Sequence, residues 1–192
     1  MSTTIIAGSL RGRKIKIISL KKEGFRPILA RIKKSFFDII KNRIAGSGFL
    51  DLYAGSGTVG IEAVSRGAES VVFVDSDAEF RKQIEYNLKV LGIEDRGRVI
   101  VADILSGLEF LKNRQGVFDI IFMGPPYKEM LVNKTIENIL KAGILSESGI
   151  IAAQHHKKES IGSFEGLCLY RQEKYGDSVM SFFRASSGTT AA

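Results

Sequence analysis

The sequence is short of cysteine, histidine, proline and long apolar runs. A single cysteine, Cys168, occurs in 192 residues. No internal disulfide can form, and a reducing, cytoplasmic setting is expected. Cys168 lies in an apolar run and is expected to be buried filler rather than a nucleophile. The two histidines, His155 and His156, are adjacent rather than spaced as a ligand pair on one helix face, so no metal site is expected. No apolar run reaches about 18 residues, the length that would suggest a membrane-crossing helix. The start, Met1-Ser2-Thr3-Thr4, lacks the basic-then-apolar layout of a signal peptide. Acids are the scarcer charge, 21 against 28 Lys and Arg, for a net charge of +7. The shortage is local: between Arg11 and Arg43 the only acids are Glu23 and Asp38. That asymmetry points to a polyanionic partner, nucleic acid in particular.

What is present suits one domain with a small extension, since 44% of residues are hydrophobic. Two short strands are expected at Thr4–Ala7 and Lys14–Ser19, with Arg11-Gly12-Arg13-Lys14 near a hairpin tip. A turn at Gly24-Phe25-Arg26-Pro27 precedes a helix over Arg31–Arg43. Cations at Arg31, Lys33 and Lys34 oppose that helix's dipole and suggest that its start faces an anion. From Phe49 the pattern becomes βαβ. Strands are expected at Phe49–Leu52, Val71–Val74, Arg98–Val101, Phe118–Met123 and Gly149–Gln154. Helices are expected at Val59–Arg66, Asp77–Leu91, Leu105–Leu111 and Asn133–Lys141, the last capped by Asn133. Leu167–Lys174 and Ser178–Arg184 read as a final antiparallel pair. Alternating strands and helices imply a mostly parallel sheet covered on both faces. The tail Ser186–Ala192 is small and polar, and is expected to be disordered.

The chain is organised around Asp51-Leu52-Tyr53-Ala54-Gly55-Ser56-Gly57-Thr58-Val59-Gly60. An apolar strand ends there in a glycine turn, and a helix start follows. Such a turn lets backbone approach a ligand and points N–H groups at it. Gly55 to Gly60 formally match G-x-G-x-x-G, a weak signal by itself. Asp75 ends the next strand, where a carboxylate can hold ribose hydroxyls. Three features separate this from a dinucleotide site. Asp51 suits a cationic amino acid moiety and would repel a pyrophosphate. Asp103 ends the third strand and can accept from an adenine amino group. Gly124-Pro125-Pro126-Tyr127 closes the fourth. Ligands of open α/β sheets bind outside the carboxyl ends of strands, so all of these should face one crevice.

The loop at Asp51–Gly57 resembles the S-adenosylmethionine loop of Rossmann-like methyltransferases. Gly124-Pro125-Pro126-Tyr127 resembles their (Asp/Asn)-Pro-Pro-(Tyr/Phe) motif. Nearly the whole chain is similar to the RsmD family of 16S ribosomal RNA guanine-N(2) methyltransferases. The likeness includes Gly8-Ser9-Leu10-Arg11-Gly12-Arg13-Lys14, Arg26-Pro27, Arg31-Ile32, Phe36-Phe37, Ser65-Arg66-Gly67-Ala68 and Tyr175-Gly176-Asp177-Ser178. The resemblance implies a Rossmann-like class I methyltransferase fold. Its mostly parallel seven-stranded sheet would have helices on both faces and an antiparallel C-terminal strand. Residues 1–24 would form an RNA-contacting β-hairpin extension, 25–185 the methyltransferase domain and 186–192 the tail. The cofactor would be held by Asp51, Tyr53, Ala54, Gly55, Ser56, Gly57, Asp75, Ser76, Asp103 and Ile104. Gly124, Pro125, Pro126 and Tyr127 would form the catalytic motif, with Tyr127 stacked on a flipped base. Arg11, Arg13, Lys14, Arg26 and Arg31 would contact RNA.

The chain departs from the family's pattern at Gly124, where Asp or Asn would accept a hydrogen bond from the target amine. It departs again at Ile28, Ala30 and Lys34, where the family carries Thr, Asp and often Glu. The implied activity is methyl transfer to a guanine N(2) amine of 16S ribosomal RNA, naked or in an assembling small subunit, by a monomer. Gly124 motivates an alternative, a weakened or non-catalytic RNA-binding or ribosome-assembly protein on the same fold. A DNA adenine-N(6) methyltransferase shares the Pro-Pro-Tyr chemistry, but the chain lacks an evident DNA-recognition domain. A nicotinamide dehydrogenase explains neither Asp51 nor Pro125-Pro126-Tyr127.

Overall fold

The computed structural model describes residues 2–17, 28–127 and 129–186, with residue 114 described by its backbone alone. The expected turn around Arg26-Pro27 and the tail at 187–192 lie outside the described residues. Strands β3 (Gly48–Leu52), β4 (Ser70–Asp75), β5 (Gly97–Val101), β6 (Phe118–Met123) and β7 (Leu145–His156) are parallel to one another. Strands β8 (Leu167–Tyr175) and β9 (Ser178–Ala185) complete a seven-stranded sheet in the order β5-β4-β3-β6-β7-β9-β8, with β9 antiparallel to β7 and β8. After β3 the chain builds outward through β4 and β5, then returns to place β6 on the other side of β3. That reversal opens a crevice at the carboxyl ends of β3 and β6.

Residues alternate between the sheet's two faces, as the pleat requires. Phe49, Phe73, Ile120, Phe122 and Ala152 join one core, under helices α1 (Ala30–Ile39), α2 (Thr58–Ser65) and α3 (Ala78–Leu91). Leu50, Leu52, Ile121, Met123 and Ala153 join the other, under α4 (Glu109–Gln115) and α5 (Val132–Ala142). Asp77 caps α3 by accepting from Glu79 N–H at 2.8 Å, and Gly92 ends the helix in the left-handed region. Asn133 does not cap α5. It lies inside the first turn, donates to Ser160 O and accepts from Gly162 N–H, while Glu159 accepts the Val132 N–H. Leu105–Leu111 divides into a 3-10 turn at Ile104–Ser106 and the start of α4. The break falls at Gly107, with φ +117°.

The N-terminal hairpin, β1 (Ser2–Thr4) with β2 (Lys14–Lys16), forms a separate two-stranded sheet but shares the main core. Ile5 and Ile15 are fully buried there, a contribution of roughly 1.5–3 kcal/mol each. β1 ends earlier than expected because Ile6 and Ala7 turn their N–H groups to the Glu62 carboxylate, both at 2.9 Å. Glu62 is itself buried and also pairs with Lys33 at 3.4 Å and Arg66 at 3.0 Å. The anion facing the basic start of α1 is therefore partly the protein's own. Lys33 meets Glu62, and Lys34 pairs with Asp38 at 2.8 Å. Cys168 is exposed rather than buried, because β8 is the sheet's outer strand and most of its residues face solvent.

Candidate active site

A cleft of about 270 Å³ opens at the carboxyl ends of β3, β4, β6 and β7. Its lining includes Asp51, Tyr53, Ala54, Gly55, Ser56, Asp75 and Ser76 on one side. Gly124, Pro125, Pro126 and Tyr127 lie on the other. The sequence thus places two separate stretches in one crevice, as the strand-end rule requires. Gly57 forms the N-cap of α2 with φ +71°, and a Cβ there would meet Ile84 Cγ1 at 2.8 Å. Glycine is needed at that point both for backbone conformation and for space.

Asp51 is buried, and its Oδ2 accepts the Gly60 N–H at 2.9 Å, anchoring the start of α2 to the end of β3. Burial is the main cause that pushes its carboxyl up to about 8, and Asp75 adds like-charge repulsion. Asp75 accepts the Gly55 N–H at 2.8 Å and the Asp77 N–H at 3.0 Å, and burial raises its pKa as well. Among the described residues no cation pairs with either carboxylate. Two buried acids with raised pKa values in one cleft mark it as a candidate functional site. Tyr53 stands beside them with φ +59°, its hydroxyl 2.7 Å from Thr135 Oγ1 and its pKa pushed up to about 12 by burial.

The far wall is equally ordered. Tyr127 Oη lies 2.6 Å from Ser178 Oγ and accepts from Gln154 Nε2. Its ring meets that of His156 edge-on, with centroids 6.1 Å apart. Ser178 belongs to the stretch Tyr175-Gly176-Asp177-Ser178, whose link to Tyr127 is visible only in three dimensions. Neighbouring His155 is buried between Ser181 Oγ at 2.8 Å and His156 O at 3.0 Å, and burial lowers its pKa. It is a structural histidine. Among the described residues no group of three or more His, Cys, Asp or Glu side chains is placed to hold a metal.

Three expected cofactor residues do not line the cleft: Gly57, which turns the chain into α2, and Asp103 and Ile104, which stand apart. Asp103 is exposed and caps the following turn, accepting from Leu105 N–H at 2.9 Å and Ser106 Oγ at 2.7 Å. The bond from Ser106 leads the causes that hold its carboxyl below the usual range. Ile104 is buried in the second core. Neither lines the cleft. Conversely, Phe80, Phe122, Glu129 and Gln154 line it without having been singled out in the sequence, while Ile28, a departure from the family pattern, and Thr58, part of the glycine turn, line it too. Gln154 ends a parallel strand, and that position was the available signal.

The expected RNA contacts also divide. Arg11, Arg13, Lys14 and Arg31 are exposed, whereas Arg26 lies outside the described residues. Arg31 is the second residue of α1, three residues after the cleft-lining Ile28. Arg13 instead reaches the far end of α3, donating to Val90 O at 2.7 Å and Leu91 O at 3.0 Å. The cleft lies at the other end of that 14-residue helix, about 20 Å away at 1.5 Å per residue.

A profile of the family described as Conserved hypothetical protein 95 matches residues 3–184. The chain belongs to this family, the RsmD family. It is 34% identical over 181 residues to YlbH of Bacillus subtilis, named as an inferred rRNA methyltransferase, covering 94% of this chain and 97% of that one. It is 32% identical to "Ribosomal RNA small subunit methyltransferase D" of Haemophilus influenzae, covering 90% and 88% of the two chains. Among solved structures it superposes on yhhF of Escherichia coli, described as an inferred methyltransferase. That match has a TM-score of 0.84 and 25% identity, and covers 98% of this chain and all of the other. The RsmD-family sheet order and cleft are therefore those of a methyltransferase fold.

Proposed function

We propose that the cleft binds S-adenosylmethionine and that the protein directs its methyl group to the exocyclic N(2) amine of a guanine in 16S ribosomal RNA. The observation that carries this reading is the uncompensated pair Asp51 and Asp75 at the strand reversal, facing Pro125-Pro126-Tyr127 across one cleft. The residues present fit the cofactor. Asp51 suits its ammonium group, and Asp75 has lone pairs left for ribose hydroxyls. Gly55, with φ +51°, brings loop backbone to the cleft. When bound, the cofactor supplies an electrophilic methyl group on a sulfonium centre.

The protein's own part is positioning and exclusion of water. Asp51 would ionise as the cation arrives, because the new charge favours its carboxylate. Tyr127, held by Ser178 and Gln154, offers a fixed ring to a base turned out of its stack. The names of the relatives supply the RNA class, and the basic N-terminal stretch agrees with it. We place Arg11, Lys14, Arg26 and Arg31 on the RNA, together with the exposed part of Arg13. The 16S RNA, naked or in an assembling subunit, would be met in the cytoplasm by a monomer. Mass spectrometry of nucleosides from small-subunit RNA, with the gene deleted and then restored, tests the reading. N(2)-methylguanine at one position should disappear and return. An unchanged modification pattern in the deletion strain would contradict it.

A further inference from the structure

We propose that Gln154 accepts a hydrogen bond from the amine being methylated, at the place where Gly124 leaves the cleft without a side chain. The inference rests on the methyl-transfer reading above and names a residue within it.

The register places the two residues side by side. β6 and β7 are parallel, and their last matched pair is Met123 with Ala153. Gly124 and Gln154 are the next residues on strands spaced about 4.8 Å apart. They also share a face. Phe122 and Ala152 belong to one core, Met123 and Ala153 to the other, so positions 124 and 154 return to the Phe122 side. Both residues line the cleft. A Cβ on Gly124 would find Phe122 Cε1 at 3.6 Å and Cζ at 3.8 Å as its nearest neighbours, ordinary contact distances. The space above Gly124 is therefore open, and Gln154 borders it.

Gln154 is oriented as well as placed. It is 7% exposed, and its Nε2 donates to Tyr127 Oη. That bond leaves the phenol proton for Ser178 Oγ. With Nε2 committed, Oε1 is the free end of the amide, and it accepts nothing from the described residues. The acids lining the cleft are less suited to this role. Asp51 and Asp75 lie at the glycine-loop side, Asp77 opens α3, and Glu129 is exposed.

A neutral acceptor is sufficient for this step. The amine lone pair forms the N–C bond as the C–S bond breaks, and the electron pair of that bond stays on sulfur as a neutral thioether. The nitrogen becomes cationic and releases one proton to water. Gln154 takes no proton. Its Oε1 holds one N–H while positive charge grows on nitrogen, so the bond is stronger in the transition state than in the ground state.

The test measures transfer of labelled methyl groups to small-subunit RNA, with cofactor affinity measured separately. Gln154→Leu should lower kcat on the order of 10²-fold. Cofactor affinity should stay within about twofold, because Asp51 and Asp75 are untouched. Gln154→Ala leaves the Tyr127–Ser178 contact in place and should show the same loss without added bulk. Gly124→Asp in the Gln154→Leu background should restore at least about tenfold, since the open space accommodates the new acceptor. Gln154→Glu keeps an acceptor and should retain most of the rate. A Gln154→Leu protein within twofold of the unaltered chain would overturn the proposal. So would a loss that neither Gly124→Asp nor Gly124→Asn repairs, because the defect would then lie in Tyr127. Absence of transfer by the unaltered chain would overturn both this proposal and the reading beneath it.

Discussion

Asp51 is a carboxyl whose buried site favours its protonated form. In the unfolded chain it titrates near 3.9, whereas burial moves it up to about 8 in the folded one. As pH rises the unfolded chain loses its proton first, so this group erodes stability from about pH 4 to about pH 8 and not below. Asp51→Asn keeps an acceptor for the Gly60 N–H and removes the buried acid. Its melting temperature should exceed that of the unaltered protein at pH 8 by several degrees, with the difference vanishing near pH 4. The same variant should bind S-adenosylmethionine roughly 10–100-fold more weakly, by the worth of a charge-assisted contact. Calorimetry at two pH values checks both. Across the cleft, Tyr127→Ala should raise the KM for RNA by roughly 5–150-fold, the equivalent of about 1–3 kcal/mol of stacking. Tyr127→Phe should keep most of the affinity, and steady-state kinetics separates the two. At this scale the sequence was informative where chemistry sits in a motif. Asp51, Asp75 and Tyr127 were legible from strand ends and glycines. Gln154 and Ser178 were not, because their roles depend on which strands become neighbours. Asp103 was ambiguous, because a strand-end Asp can also cap the turn that follows, as it does here.

Among the elements, the β3–α2 turn carries the site. Its shape depends on Gly57, whose φ of +71° and proximity to Ile84 leave no room for a side chain. Gly57→Ala should destabilise the protein by roughly 1–3 kcal/mol, and it should weaken cofactor binding because the loop must shift. Thermal melts with and without cofactor measure both effects. Strands β3, β4 and β6 were readable because each is a short apolar run between turn signals. The hairpin was harder to place. Its alternation announced a half-exposed strand, but nothing in the sequence said that Ile5 and Ile15 would complete the main core, or that Glu62 would collect the Ile6 and Ala7 N–H groups. Those are contacts between distant positions, which periodicity does not encode. The same holds for Cys168: its apolar neighbours suggested burial, and its place on the outer strand β8 decided otherwise.

For the molecule as a whole, among the described residues, the basic end of the hairpin and the cleft lie at opposite ends of α3. The cleft sits at the start of α3, while Arg13 donates to the carbonyls at the end of that helix. An RNA that touches both must run along the flank of the protein. Binding of small-subunit RNA should weaken steeply with salt, and replacing Arg11 and Lys14 together by alanine should make the log–log slope shallower by about 1–2. Cofactor affinity should not follow. An unchanged slope would show that the hairpin lies off the RNA. The central claim is that the Asp51–Asp75 cleft transfers a methyl group to a guanine amine although Gly124 brings no side chain to it. The most direct measurement uses the purified protein, S-adenosylmethionine labelled in its methyl group, and small-subunit particles from cells lacking this protein. Label should be recovered as N(2)-methylguanine at one position of the RNA. Cofactor binding in the same preparation without any labelled guanine would contradict it.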